Sequence, residues 1–277
     1  MTLPIMVLTP HQSGYLPTEI LAEMLGEQLY EKEARDERLS WLFDEGDPYT
    51  DIIFHLPEAH NLHAPYSRFV VDLNRFRDQG GANGVIKLTD FEGRSLYPDG
   101  FVLSDEAREQ RLRRYWDSFH QEVEASLRLH DIKLLINGHS MQPRGPVIGP
   151  DAGKLRPAIT LMTNGDAAGN TIGGVRTSIE PDFARATVKL LEQHFAQLLE
   201  ASSLEPAVAL NDPWSMDETT FRYSDPERDR AVPGFGIEFN RALYLTYKEG
   251  KEYPNEPVIR ALNEAFRAFI VDLDGLI

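Results

Sequence analysis

Asp131-Ile132-Lys133-Leu134-Leu135-Ile136 runs straight into Asn137-Gly138-His139-Ser140-Met141. The apolar run reads as a buried strand, and a histidine falls at its carboxyl end. The pattern occurs a second time near the start of the chain. Leu3 to Thr9 is apolar and β-rich and gives way to Pro10-His11-Gln12-Ser13-Gly14. In open α/β sheets, ligands collect beyond the carboxyl ends of the strands. Two strands that each end in His are the arrangement expected of a two-histidine metal site.

Working outward, segments of helical and strand period alternate. Thr18 is placed to cap a helix through Ile20, Leu21, Met24 and Leu25 that extends to about Phe43. Ser67-Arg68-Phe69-Val70-Val71-Asp72-Leu73-Asn74-Arg75 reads as a short strand entering a turn. Ser104, followed by Asp105 and Glu106, opens a long amphipathic helix to about His130. Pro143 to Pro157 reads as a loop, Ala158 to Thr163 as a strand, and Glu180 to Ala201 as a helix. Pro206 to Leu210 is the next strand, and Ser215 to Arg230 reads as polar loop. Gly234 to Arg241 is the last strand, and a helix from Pro257 to about Leu273 closes the chain. This order predicts an α/β fold with a mixed, largely parallel sheet and helices on both faces. No Pro-, Ser- or Gly-rich linker interrupts it, so residues 1–277 are expected to form a single domain.

Chemistry-bearing residues gather at the strand ends. In the last strand Phe235, Ile237 and Phe239 share one face, which turns Glu238 to the other. A carboxylate among large apolar side chains must be paired, protonated or catalytic. Arg68, Asn74 and Arg75 flank an apolar run and can converge on an anion, because the guanidinium fork matches a carboxylate. Asp44-Glu45-Gly46-Asp47-Pro48-Tyr49-Thr50-Asp51 is an acidic turn from which one acid can reach a metal. Together these supply a hydrolase: two histidines and an acid for Zn²⁺, a Glu to accept a water proton, and arginines for an oxyanion and a substrate carboxylate.

Composition narrows the partners. Lys and Arg number 28 against 44 Asp and Glu, a net charge of −16. That argues against nucleic acid and anionic membrane, and leaves room for a small anionic substrate in a local cationic pocket. Cysteine is absent, which removes thiol chemistry and fits a reducing, cytoplasmic setting. The first residues, MTLPIMVLTPH, lack the basic start and long apolar core of a signal peptide, and no run is long enough for a membrane span.

At these residues the sequence resembles the N-formylglutamate amidohydrolases. The resemblance rests on Pro10-His11 with Gly14 and Pro17, on Ser67 to Arg75, on Gly138-His139-Ser140, on Thr163-Asn164-Gly165, and on Ile237-Glu238 followed by Tyr244. Asp72-Leu73-Asn74-Arg75 is also similar to aspartoacylase, and the order of motifs is similar to the zinc carboxypeptidase-like group. The resemblance implies a phosphorylase/hydrolase-like fold and conversion of N-formyl-L-glutamate to L-glutamate and formate, a step of histidine degradation. It implies zinc on His11 and His139, Glu238 as general base and Arg68 on the scissile carbonyl. It also implies Asn74 and Arg75 on the substrate carboxylate. Gly14 stands where carboxypeptidases carry an acid; the N-formylglutamate amidohydrolases carry theirs later, in a Thr-Asp-Trp-like stretch, and by that resemblance Asp47, with Phe54 at a matching distance, fits best as third ligand, with Asp51 or Glu45 in reserve. The family's Gly-Gly-Tyr-Ile-Thr segment is replaced by Asn211-Asp212-Pro213-Trp214-Ser215-Met216, and Gly236 stands where Gln is usual. A related deacylase with another carboxylate-bearing substrate, or a carboxylate-binding protein without turnover, are the alternatives.

Overall fold

The computed structural model describes residues 3–147, 149, 151–249 and 251–277. The loop expected at 143–157 therefore includes two positions, 148 and 150, that lie outside the described residues. Six strands form the central sheet. In chain order they are β1 (Ile5–Thr9), β2 (His60–His63), β3 (Leu134–Met141), β4 (Ile159–Met162), β5 (Val208–Leu210) and β6 (Gly234–Asn240). Their spatial order is β2-β1-β3-β6-β4-β5. β2, β1, β3 and β6 are mutually parallel, β4 is antiparallel to β6, and β5 is parallel to β4. The fold is thus the mixed, largely parallel α/β sheet that the element order implies.

Side-chain alternation divides the sheet into two faces. Ile5 and Val7 of β1, Leu134 and Ile136 of β3, and Phe235, Ile237 and Phe239 of β6 enter one core. That core is covered by α3 (Thr50–Ile53), α6 (Pro181–His194), α7 (Ala196–Ser202) and α9 (Glu256–Asp274). Met6, Leu8 and Leu135 enter the opposite core, against α1 (Thr18–Leu25) and α5 (Ser118–Leu129). Gly138 belongs to the first face because Phe54 lies against the strand there. A Cβ at that position would stand 2.4 Å from the Phe54 ring.

Several boundaries differ from the sequence expectation. The first helical stretch is not continuous: α1 ends at Leu25, a 3₁₀ turn spans Gly26–Tyr30, and α2 occupies Lys32–Asp44. Thr18 is the first residue of α1 and makes no capping bond. Ser104 does cap α4 (Asp105–Arg111) by accepting from the Ala107 amide, and α4 joins α5 through a π-helical turn at Leu112–Asp117. α7 (Ala196–Ser202) follows α6 after a break at Phe195. The segment 215–230 is not all loop, since Asp217 caps α8 (Glu218–Ser224) through the Thr220 amide. A hairpin of β7 (Leu245–Lys248) and β8 (Lys251–Pro254) precedes α9.

The largest correction concerns Ser67–Arg75. It is a chain of turns, and the strand in that part of the molecule is the short edge strand His60–His63. Phe69, Val70 and Val71 are fully buried all the same. Side chains capture the backbone: the Phe69 amide donates to Ser67 Oγ (3.3 Å) and the Asn74 amide to Asp72 Oδ1 (3.0 Å). Such local bonds compete with ladder formation and hold the chain in turns.

Candidate active site

On β3 and β6 the face that carries Leu135 turns polar toward the strand ends. The register pairs Asn137 with Gly236 and His139 with Glu238. β4 adds Met162 opposite Gly236 and Thr160 opposite Glu238. His139 therefore lies inside β3 rather than beyond it, because pairing with β6 continues to Met141. His11 follows the end of β1 by two residues.

Asp47 closes the group. Its Oδ2 lies 3.2 Å from His11 Nδ1 and 3.1 Å from His139 Nδ1, and all three side chains are buried. Their ligand atoms lie within 4.8 Å of one another, a nitrogen–oxygen–nitrogen set suited to one divalent cation. Of the acids in the turn, Asp51 sits on α3 and Glu45 points toward Arg94, so neither joins the group. What selects Asp47 is the clamp on its loop. The Asp47 amide donates to the His11 carbonyl (2.9 Å), Arg241 donates to the carbonyls of Asp44 and Gly46, and Tyr244 Oη donates to Pro48 O (3.1 Å).

Asp72, to which sequence reasoning gave no role, organises the layer behind. Its Oδ1 accepts from His11 Nε2 (2.8 Å) and its Oδ2 from Arg68 Nη2 (2.8 Å), with the fully buried Lys87 Nζ at 3.1 Å. Burial works against the charge on Asp72. The Arg68 and Lys87 cations outweigh it and hold the carboxyl well below the usual carboxylate range. A carboxylate behind a ligating histidine sets its ring orientation and tautomer. Burial pushes Lys87 the other way, down to about 8. Asn74 Nδ2 lies 3.4 Å from His139 Nε2, and its Oδ1 accepts from the Thr219 amide (2.8 Å).

Glu238 is the carboxylate nearest to free chemistry. Its Oε2 is buried and has no hydrogen-bond partner among the described residues. Burial, reinforced by the charge of Asp47 and opposed by His139, pushes its carboxyl up to about 7. At that value one group can both accept and return a proton near neutral pH. A cavity of about 290 Å³ opens over this group. The seven residues assigned roles from the sequence line it, His11, Asp47, Arg68, Asn74, Arg75, His139 and Glu238, whereas the reserve ligand Asp51 does not. Arg68 is nearly buried over the Phe91 ring, and its Nε lacks a partner among the described residues. Arg75 is held by Asn83, with Nη2 donating to Asn83 Oδ1 at 2.9 Å.

The cavity has further walls that the sequence did not single out as functional. They include Arg156, Met162, Trp214, Asp217, Glu218 and Arg241. Gly236 is fitted to two of them: a Cβ there would meet Asp217 Oδ2 at 2.2 Å and Met162 Cε at 2.6 Å. Trp214 sits where the chain departs from the resembled family, at Asn211 to Met216, and that departure was the available signal. Arg156 and Arg241 carried none.

Comparison with known proteins follows the same lines. A model of the N-formylglutamate amidohydrolase family matches residues 3–245. An N-formylglutamate deformylase of Pseudomonas putida is 27% identical over 95% of this chain and 96% of its own length. A second, from Pseudomonas aeruginosa, is 33% identical over 46% of this chain and 53% of its own. The crystal structure of an N-formylglutamate amidohydrolase from Ralstonia eutropha JMP134 superposes with a TM-score of 0.67 at 19% identity. That match covers 100% of this chain and 96% of the other. No helix among the described residues is long and apolar enough to cross a membrane.

Proposed function

The chain belongs to the N-formylglutamate amidohydrolase family, and on that premise we propose that it is a zinc-dependent hydrolase converting N-formyl-L-glutamate to L-glutamate and formate. One observation carries the reading: the buried His11–Asp47–His139 group stands beside Glu238, a carboxyl with an oxygen unpartnered among the described residues and a pKa pushed up to about 7 by burial. His11, Asp47 and His139 would hold the ion. When bound, a divalent cation supplies a Lewis acid for a carbonyl and acidifies a water.

The protein's own groups do the rest. Glu238 takes a proton from the attacking water as its oxygen bonds to the formyl carbon. The C–N bond then breaks, and Glu238 returns that proton to the departing nitrogen. Arg68, whose Nε–H has no partner among the described residues, donates to the carbonyl oxygen as negative charge develops there. Asn74 and Arg75 hold a substrate carboxylate, and Asn83 fixes the Arg75 fork before substrate arrives.

The test is formate release from N-formyl-L-glutamate by protein of known zinc content. Turnover that is lost on chelation and restored by zinc is the expected result. No release by protein carrying a full equivalent of zinc would overturn the substrate, and a panel of other N-acyl amino acids would then be screened.

A further inference from the structure

We propose that Arg156 receives the second carboxylate of a dicarboxylic N-acyl amino acid, a subsite that rests on the amide-hydrolase reading above. Four arginines line the cavity. Arg241 is committed to the carbonyls of Asp44 and Gly46 and to Ser140 Oγ. Arg68 faces Asp72 and Asp47. Arg75 lies next to Asn74 and serves the first carboxylate. Arg156 is left, and it is only 4% exposed.

Its geometry is that of a prepared anion receptor. Nε and Nη2 donate to the two oxygens of Asp151 at 2.7 and 3.0 Å. The guanidinium carbon stands 4.4 Å from the centre of the Trp214 ring. A planar fork gripped on one edge and stacked on a ring has little freedom left to lose when it binds. Nη1 remains, and its contact among the described residues is a long one, 3.4 Å to the Gln142 carbonyl.

The position suits a second carboxylate. Asn74 meets His139 on the β3 side of the His139–Glu238 pair. Arg156 comes from the β4 side, where Asn240 of β6 donates to its carbonyl (3.2 Å) and β4 begins three residues later. The two carboxylate-binding segments thus flank the base. An amide poised at Glu238 then directs its α-carboxylate to one side and its side chain to the other. Met162 and Met216 line the same cavity and suit the methylenes of a glutamate side chain. Asp217, an acid on the same wall, has its oxygens turned to internal donors, accepting from Asn137 Nδ2, the Thr220 amide and Thr220 Oγ1.

The experiment compares N-formyl-L-glutamate with N-formyl-L-glutamine, of nearly the same shape but with a neutral amide in place of the side-chain carboxylate, on zinc-loaded wild type, R156M and R156Q. In the wild type the glutamate compound should have the lower KM. In R156M its KM should rise about 10- to 100-fold, while kcat/KM for the glutamine compound stays within about threefold. Equal losses on both substrates, or one shared shift of the pH–rate profile, would overturn the subsite and leave Arg156 a support for the wall or for Glu238. If R156M folds poorly, R156Q decides by the same ratio. If the wild type turns over neither compound, the proposed reaction fails but the subsite is still testable by calorimetric titration. Tighter binding of the glutamate compound that R156Q abolishes would uphold it, and equal binding of the two by the wild type would sink it.

Discussion

The two faces of β6 differ in what they require of their residues. On one, Phe235, Ile237 and Phe239 are completely buried, and Phe239 packs 4.9 Å from Phe54 and 5.2 Å from Phe195, centroid to centroid. On the other stand Gly234, Gly236, Glu238 and Asn240. The apolar face needs volume and shape. The polar face needs particular atoms at particular places: Glu238 beside His139, Gly236 making room for Asp217 and Met162, Asn240 holding the Arg156 and Pro157 carbonyls. The first face makes the second possible, because close packing fixes β6 in its register and so fixes where Glu238 points.

That contrast can be broken by substitution on either side. The largest effect is expected at the proposed ligands. H139A and D47A should each lose the zinc equivalent and all turnover, whereas D51A should keep both, as read by elemental analysis. Zinc lost equally from D51A would dismiss Asp47 as the selected acid. Next, E238Q should keep zinc and thermal stability while kcat falls about 10²–10⁴-fold. Unchanged kcat would remove Glu238 from the chemistry.

The apolar face should answer in the other currency. F239A is expected to lose about 3–5 kcal/mol of stability in urea unfolding, with kcat per folded molecule within a few-fold of wild type. A large fall in kcat without loss of stability would abolish the division between the faces.

The smallest effect tests a group behind the polar face. His120 is buried, with Nδ1 accepting from Tyr223 Oη (2.7 Å) and Nε2 donating to the Leu73 carbonyl (3.1 Å). Burial, helped by the charge of Arg222, lowers it from 6.5 to about 3. It stays neutral in the native state while the unfolded chain binds a proton below 6.5. Its contribution to stability is therefore complete above 6.5 and is lost as pH falls toward 3, at about 1.4 kcal/mol per unit. Between pH 6.5 and 5 the wild type should lose about 2 kcal/mol more than H120Q. Parallel pH profiles for the two would show that His120 titrates elsewhere.

How far the sequence reaches is clearest where it misled. Phe69-Val70-Val71 has the composition of a strand and the burial of one, yet the chain turns there. A three-residue apolar run has no period to separate strand from turn, and the captures by Ser67 and Asp72 are visible only in three dimensions. The strand actually present, His60-Asn61-Leu62-His63, lies on the sheet edge and carries no apolar pattern to announce it. The helix at Glu218–Ser224 was hidden by its polar, seven-residue length.

The sequence by itself determined the α/β order, the apolar face of β6 with Glu238 opposite, and the family motifs around His11, Arg68, Asn74, His139 and Glu238. Periodicity and strongly spaced residue types are local properties, so they survive in one dimension. Only the tertiary structure distinguished Asp47 from Glu45 and Asp51, made Asp72 the partner of His11, Arg68 and Lys87, and brought Arg156 onto Trp214. Those choices depend on contacts between residues far apart in the chain, such as Arg241 with the carbonyl of Gly46. Electrostatic and hydrogen-bond partners of that kind are set by packing of the whole sheet and leave no pattern in the neighbouring sequence.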